Sequence, residues 1–247
     1  MRYLVLTDIH ANLEALDACL QDAASHGFDR TLVLGDLVGY GPDPNGVIER
    51  IKALRPVAII RGNHDKVACG LEQPDGFNAV ARRAALWTFE VLSAANRSWL
   101  AELPKGAIVV DEVIEICHGS PFDEDAYVFD ELDAVRALKM SQRPLCLFGH
   151  THYPVTFALS NDRVTTIGSA GALNGGLAMQ EGSKYLMNPG AVGQPRDGDP
   201  RAAYAIVDTS AQRVDTYRLM YDIATTQAKI MAAGLPEVLA QRLAVGR

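Results

Sequence analysis

Short apolar runs that end abruptly in polar clusters recur through the first 150 residues. Each run is too short and too rich in β-branched residues to favour a helix, so each predicts a buried strand. The five predicted strands cover residues 3–6, 31–34, 57–60, 113–117 and 144–148. Near-continuous apolar strands of this kind are typical of a sheet that is covered on both faces.

Apolar residues at helical spacing lie between the first strands. Residues 13–20 carry leucines at intervals of three and four, and residues 47–54 repeat the helical pattern after Pro44. This alternation predicts βαβ units and an α/β fold with parallel strands. In such sheets a functional site lies beyond the carboxyl ends of the strands, and every polar cluster falls at that end.

The pattern changes twice further along the chain. Residues 78–103 have helical spacing and predict a helical insert that Pro104 closes. After it, alternating segments joined by turn residues predict antiparallel hairpins at 155–167 and 204–219.

The last amphipathic stretch, at about 222–244, predicts a C-terminal helical tail that breaks near Gly234. We interpret the tail as helices packed on the body of the protein, because apolar helix faces are usually buried, rather than as a partner-binding helix. No linker divides the chain, so residues 1–247 are expected to form one domain.

The composition is that of an ordinary globular chain. Its 247 residues are 48% hydrophobic and 21% charged, which excludes disorder, collagen and coiled coil. No apolar run is long enough to span a membrane and the N-terminus has no signal-peptide cleavage pattern, so we expect a cytoplasmic protein without a membrane partner. The formal net charge of -7 argues against a general nucleic-acid surface, which needs lysine and arginine.

Five of the six histidines lie at the ends of predicted strands, beside glycine, carboxylate or amide residues. They are His10, His64, His118, His150 and His152. One such histidine alone would be interpreted as a hydrogen-bonded structural residue, but five that converge on one edge favour a common site. Imidazoles with carboxylates and an amide oxygen suit borderline or hard divalent metals, and the lack of thiolates disfavours a structural zinc cluster.

The spacing of these residues indicates more than one ion. Asp8 and His10 are two positions apart at a strand end, which directs both side chains to the same side, and a second pair repeats this spacing. Seven candidate ligands exceed the needs of one tetrahedral ion but suit two ions that share a carboxylate. Asp36 stands alone at its strand end and is the expected bridge. The seven are Asp8, His10, Asp36, Asn63, His118, His150 and His152.

Five sequence blocks resemble the calcineurin-like metallophosphoesterase superfamily. In order they are Asp-Ile-His at 8–10, Gly-Asp at 35–36, Gly-Asn-His-Asp at 62–65, His-Gly at 118–119 and Gly-His-Thr-His at 149–152. The stretch at 188–196 further resembles the Asn-Pro-Gly turn of the small bacterial and archaeal branch of this superfamily. The resemblance implies a four-layer α/β/β/α sandwich of two mixed sheets.

The resemblance also implies roles for individual residues. Asp8, His10, Asp36 and His152 correspond to the ligands of one metal, and Asp36, Asn63, His118 and His150 to those of the other. His64 corresponds to a histidine that faces the substrate, and Asp65 to the acidic residue that orients it. The implied cofactors are two divalent ions, with Mn or Fe expected and Zn, Co or Ni as alternatives.

Departures from the superfamily's Ser/Thr protein phosphatases bear on substrate contacts. Those enzymes follow the bridging aspartate with Val-Asp-Arg-Gly, whereas Leu-Val-Gly-Tyr-Gly follows Asp36, so their phosphate-clamping arginine is missing. Arg61 and Arg196 are candidate replacements, with a structural contact as the alternative for each. Tyr40 and the acidic loop at 123–125 are candidates for the rim of the site, with a solvated loop as the alternative.

The candidate ligands and the uncoordinated His64 lead us to expect a dinuclear metal-dependent phosphoester hydrolase. In this hypothesis a hydroxide that bridges the ions attacks phosphorus, and His64 protonates the leaving oxygen. Two cations at one cleft of an acidic protein favour small phosphoesters over long nucleic acid. Monoesters, diesters, dinucleoside polyphosphates of the diadenosine tetraphosphate type and phosphoproteins stay open, as do the oligomeric state and a metal-stabilised scaffold without turnover.

Overall fold

The computed structural model describes residues 1–169 and 176–247. In chain order the strands are β1 (Arg2–Leu6), β2 (Arg30–Val33), β3 (Ala58–Ile59), β4 (Ile108–Val109), β5 (Ile114–Ile116), β6 (Leu145–Leu147), β7 (Val155–Ser160), β8 (Arg163–Ser169), β9 (Leu177–Ala178), β10 (Lys184–Asn188), β11 (Ala202–Asp208) and β12 (Arg213–Leu219). The helices are α1 (Leu13–His26), α2 (Pro44–Leu54), α3 (Asn63–Cys69), α4 (Ala79–Val91), α5 (Ala94–Ala101), α6 (Glu131–Met140), α7 (Ile223–Ala232) and α8 (Glu237–Leu243).

The strands form two mixed sheets. The first has the order β3-β2-β1-β11-β12-β9, in which β1, β2 and β3 are parallel and the other pairs are antiparallel. The second has the order β4-β5-β6-β10-β7-β8, in which β5, β6 and β10 are parallel. Each sheet therefore joins a parallel half to hairpins, as the sequence predicts.

The two sheets stack face to face, and helices cover their outer faces. Alternate residues of β1 point to opposite sides: Leu4 packs with α1 and α2, whereas Val5 packs against the second sheet. On the far side, Cys146 of β6 packs with Leu138 of α6. The result is the four-layer α/β/β/α arrangement that the resemblance implies.

The predicted elements lie close to their expected positions. All five apolar runs contain strands, the insert at 78–103 forms α4 and α5, and the tail at 222–244 forms α7 and α8. The tail packs on the body, since Ile230 and Leu239 share a cluster with Tyr40. The assignment of the whole chain to one domain stays a prediction.

Three elements of the second sheet and its outer layer were not predicted, namely β4, β10 and α6. The strand β10, Lys-Tyr-Leu-Met-Asn, lies between β6 and β7 but contains no β-branched residue. The helix α6 covers the outer face of this sheet, and its core-facing positions are mainly alanines, which give a weak apolar signal. Among the described residues no helix has the length and apolar character needed to cross a membrane. The cytoplasmic location stays a prediction.

Candidate metal centre

Seven candidate ligands converge where the parallel strands of both sheets end. Those from the first sheet come just after β1 and β2 and at the start of α3, which follows β3; those from the second come just after β5 and β6. All are buried except Asn63, which is partly exposed. They are Asp8, His10, Asp36, Asn63, His118, His150 and His152.

Left-handed backbone conformations direct most of these side chains. Asp8 and His10 have φ values of 51° and 49°, so neither continues the extended strand that ends at Leu6. Asp36, His150 and His152 also have positive φ, between 50° and 66°. Strand alternation was therefore the wrong reason for the convergence of these side chains. Such conformations cost non-glycine residues roughly 1–2 kcal/mol each and often mark functional sites.

Glycines allow the chain to pass close to the carboxylates. A Cβ at Gly62 would lie 2.1 Å from Oδ1 of Asp36, and a Cβ at Gly149 would lie 2.1 Å from the Thr7 hydroxyl and 2.8 Å from an Asp8 oxygen. All three distances are below van der Waals contact. The glycines of the Gly-Asn-His-Asp and Gly-His-Thr-His blocks are thus required by packing around the ligands.

The ligands form two groups that share Asp36. Within each group the donor atoms lie within 4.8 Å of one another. Asn63 joins the second group, because its Oδ1 lies 3.4 Å from Nε2 of His118. The first group is Asp8, His10, Asp36 and His152, and the second is Asp36, His118 and His150.

Backbone carbonyls orient three of the imidazoles. In each case Nδ1–H donates to a carbonyl oxygen, so that in the neutral ring the lone pair of Nε2 faces the cluster. The pairs are His10 with Val38 at 3.1 Å, His118 with Leu34 at 2.8 Å and His152 with Gln194 at 2.6 Å. This arrangement of carbonyl, imidazole and inward-facing nitrogen is typical of histidines that bind metals.

Unsatisfied atoms in the cluster show that the donor set fits cations. Oδ2 of Asp36 and Nε2 of His150 are buried without a hydrogen-bond partner. Nε2 of His10 lies 3.0 Å from Nε2 of His152, although the Nδ1 bonds leave both atoms as acceptors. Acceptors this close repel each other, and a buried carboxylate oxygen without a partner is costly. Divalent ions would satisfy all four atoms.

Burial keeps three of the imidazoles neutral, which is the form that binds metal. It lowers the pKa of His150 to about 3 and the pKa values of His10 and His152 well below the ordinary range. Burial also raises the pKa of Asp8 to about 6. A metal at this position would therefore compete with a proton for Asp8 near neutral pH.

Asp36 and His118 shift each other's pKa in opposite directions. Burial alone would raise the pKa of Asp36, but the nearby imidazoles, His118 first, hold it well below its usual range. Burial would lower the pKa of His118, but Asp36, 3.4 Å away, and Asp8 raise it to about 10. A cation that binds here would take the place of the His118 proton beside Asp36.

His64 lies next to the ligand groups and belongs to neither of them. Its backbone N–H donates to Oδ1 of Asp36 at 2.9 Å. Its ring packs 4.3 Å from that of Tyr40 and 4.6 Å from that of Phe77, and its Nδ1 is buried without a partner. Burial lowers the pKa of His64 to about 4.

Asp65 does not have the contact that the resemblance implies. Its carboxylate accepts the backbone N–H groups of Gly62 at 2.9 Å and Val38 at 3.1 Å, and among the described contacts none joins it to the His64 ring. The reason is local, because the third residue of a helix folds back on the residue that caps it. Asp65 thus ties the start of α3 to the loop after β2. It was expected to orient the His64 ring, but its carboxylate binds backbone N–H groups instead.

Arg61 forms an ion pair with Glu124, which is not a candidate ligand. Its Nε and Nη2 each lie 3.1 Å from an oxygen of Glu124. Lys66 bonds to Asp125 of the same loop at 2.5 Å. Ion pairs therefore tie the acidic loop at 123–125 to α3 and to Arg61 just before it, although Asp123 itself is exposed. The geometry favours the structural alternative for Arg61.

The remaining candidates, Tyr40 and Arg196, lie on one side of the cluster. The ring of Tyr40 packs 4.8 Å from that of His10, and Cζ of Arg196 lies 5.6 Å from the Tyr40 centroid. Sequence reasoning missed two neighbours of the site. Gln194, which orients His152, lies within the stretch at 188–196 and could have been found there, but Phe77 belongs to no recognised block.

Comparisons with known proteins find relatives that cover most or all of this chain. The sequence profile of the Calcineurin-like phosphoesterase superfamily domain matches residues 1–212. A crystal structure of a metallophosphoesterase from Sphaerobacter thermophilus has 42% identity and a TM-score of 0.87, covering 100% of this chain and 99% of that chain. An uncharacterized protein of Methanocaldococcus jannaschii is 37% identical over 251 residues, 98% of this chain and 97% of its own. Phosphodiesterase YfcE of Escherichia coli is 25% identical over 223 residues, 87% of this chain and 91% of its own.

Proposed function

The chain belongs to the calcineurin-like phosphoesterase superfamily, and from that premise we propose that it is a dinuclear metal-dependent hydrolase of small phosphoesters. The observation that carries the proposal is the sharing of Asp36 by two buried donor groups. Two ions joined by a carboxylate are a common arrangement for hydrolysis of phosphate esters.

The donor groups define which residues would hold the ions. Bound there, two divalent ions supply Lewis acidity toward phosphoryl oxygens and make water a nucleophile near neutral pH. Mixed nitrogen and oxygen donors suit Mn or Fe, with Zn, Co and Ni as alternatives. One ion would be held by Asp8, His10, Asp36 and His152, and the other by Asp36, Asn63, His118 and His150.

His64 supplies the proton in this proposal. Its pKa of about 4 makes the ring neutral at neutral pH, but a negatively charged phosphoryl group beside it stabilises the protonated form. The ring is held by packing against Tyr40 and Phe77 rather than by a carboxylate, and no described hydrogen bond occupies its ring nitrogens. His64 then donates its proton to the leaving oxygen.

A substrate panel tests the proposed reaction. Protein loaded in turn with Mn²⁺, Fe²⁺, Co²⁺, Ni²⁺ and Zn²⁺ is assayed on phosphomonoesters, phosphodiesters, cyclic nucleotides and diadenosine polyphosphates. We expect metal-dependent hydrolysis of at least one small phosphoester. A panel without turnover would favour the alternative of a metal-stabilised scaffold.

Asp36→Asn provides the matched test of the shared carboxylate. The amide removes the negative charge between the two donor groups, so we expect loss of bound metal by elemental analysis and a fall in turnover of roughly 10²- to 10⁴-fold. Asp199→Asn, at a carboxylate that pairs with Arg201 outside the cluster, is the control. Two ions per chain at full occupancy in Asp36→Asn would refute the bridging role.

A further inference from the structure

Two arginine side chains at the edge of the ligand cluster donate to the same neutral acceptor. Arg196 lies in the loop after β10, and Arg242 lies in the last turn of α8. Nη2 of Arg196 donates to Oε1 of Gln194 at 3.1 Å, and Nη1 of Arg242 donates to the same oxygen at 3.3 Å. Two guanidinium groups are thus brought together without a negative charge between them.

The acidic residues nearby in the chain are bound to other arginines. Asp197 pairs with Arg218, and Asp199 pairs with Arg201 at 2.6 Å. Among residues 1–169 and 176–247, no ion pair within 4.0 Å involves Arg196 or Arg242. The positive charge of this pair is therefore uncompensated within the described protein.

Both side chains are partly buried, which makes their proximity costly. The Nε atom of each arginine is buried and has no hydrogen-bond partner. Burial and the charge of Arg196 together lower the pKa of Arg242 below its ordinary value. An anion between the two groups would offset the repulsion and accept their free N–H groups.

The pair is next to the metal ligands. The backbone oxygen of Gln194 accepts Nδ1–H of His152 at 2.6 Å, while its side chain accepts from both arginines. On the other side, Arg196 lies over the ring of Tyr40, which packs on His10. The arginines therefore border the donor group that contains His10 and His152.

We propose that Arg196 and Arg242 form a subsite for a second phosphoryl group of the substrate, beside the one that reacts at the metal centre. Forked guanidinium groups match phosphoryl oxygens, and two of them suit a group with a high charge density. The substrate class is then a compound with two or more linked phosphoryl groups, such as a nucleoside or dinucleoside polyphosphate. This inference rests on the proposed function and assigns a binding role to the C-terminal helix α8.

Binding of two phosphonates to the metal-loaded protein tests the subsite without turnover. Methylenediphosphonate carries two linked phosphonyl groups, and methylphosphonate carries one. Isothermal titration calorimetry should show that the wild-type protein binds the diphosphonate at least about tenfold more tightly, the effect of one charge-assisted hydrogen bond or more. Metal content is measured after each titration, because a diphosphonate can also remove metal.

Variants separate a binding role from a structural one. In Arg242→Gln and Arg196→Gln the ratio of the two dissociation constants should fall to within about threefold of unity, and Arg242→Lys should retain part of the preference. Arg201→Gln, which removes an exposed arginine of the same region, should keep the wild-type ratio. A change in melting temperature or metal content with an unchanged ratio would mean a structural role and would overturn the proposal.

The two proposals fail in different ways. Equal binding of both phosphonates by the wild-type protein would eliminate the subsite, even if the ester panel shows hydrolysis. Absence of hydrolysis on the panel would contradict the proposed function, while the ratio of dissociation constants would still report on the arginines.

Discussion

The two oxygens of Asp36 have different tasks. Oδ1 accepts the backbone N–H of His64 at 2.9 Å, whereas Oδ2 is buried without a hydrogen-bond partner and faces Nε2 of His10 at 3.5 Å and of His118 at 3.4 Å. One oxygen therefore positions the residue that we propose as the proton donor, and the other faces the metal donors. In the proposed reaction, a single carboxylate would thus serve both generation of the nucleophile and positioning of the proton donor.

Replacing His64 by alanine should separate these tasks. Because His64 belongs to neither donor group, His64→Ala should keep two ions by elemental analysis but lose roughly 10²- to 10⁴-fold in kcat. The loss should be larger for a phenyl than for a nitrophenyl phosphodiester, since nitrophenolate leaves more easily without a proton. His26→Ala, at an exposed histidine outside the cluster, is the control. Equal losses on both esters would sink the role of His64 as an acid.

The helix α3 shows how one short element organises the cluster. It begins at Asn63 after Gly62, whose lack of a side chain lets the chain pass close to Asp36. Asp65 then holds the turn by accepting the N–H groups of Gly62 and of Val38, which lies in the loop after β2. The ion pairs of Arg61 and Lys66 with the loop at 123–125 attach this helix to the second sheet. The hydrogen bonds of Asp65 and the ion pairs of Lys66 and of the preceding Arg61 thus help to place Asn63 and His64 without any contact to a metal.

Asp65→Asn should therefore act on stability more than on proton transfer. The amide nitrogen cannot accept an N–H group, so one buried donor loses its partner, at a cost of about 1–3 kcal/mol in the free energy of unfolding. Urea denaturation of the metal-free protein measures this cost, with the exposed Asp75→Asn as a control. The ratio of rates on phenyl and nitrophenyl esters should equal that of the wild type. A ratio that moves toward that of His64→Ala would restore the orienting role.

At the scale of the molecule, the cluster joins the two sheets. Asp8, His10 and Asp36 follow strands of the first sheet, and His118 and His150 follow strands of the second. A hydrogen bond also links the two sheets, because the backbone N–H of His150 donates to the Asp8 carboxylate at 3.0 Å. Bound ions would therefore connect both halves of the sandwich and stabilise the folded state relative to the unfolded chain.

Metal should raise the melting temperature in a pH-dependent manner. Ligands must lose their protons to bind metal, and burial raises the pKa of Asp8 to about 6. As the pH falls through that value, protons compete for this carboxylate and the metal-dependent stabilisation is lost. We expect the difference in melting temperature between Mn²⁺-loaded and chelator-treated protein to be larger at about pH 8 than at about pH 5. The same difference at both pH values would contradict the assignment of Asp8 as a ligand.

Local patterns in the sequence predict most of the elements and the chemistry that they carry. Apolar runs and helical spacing are local patterns, and they placed five strands, the insert and the tail close to their observed positions. The types of residue at the strand ends indicated divalent metals and a shared Asp36. The strand β10 was missed because it contains no β-branched residue and its position in the sheet depends on both neighbours.

The way in which these residues act on one another depends on contacts that the folded chain makes between distant segments. Positive φ values, not strand alternation, direct Asp8 and His10 inward, and carbonyls remote in sequence select the form of three of the imidazoles. Asp65 binds backbone N–H groups rather than His64, and Arg242 meets Arg196 from a helix at the far end of the chain. These contacts depend on packing between distant segments, and the energy of a buried polar group depends on its partner in space rather than on its neighbours in sequence.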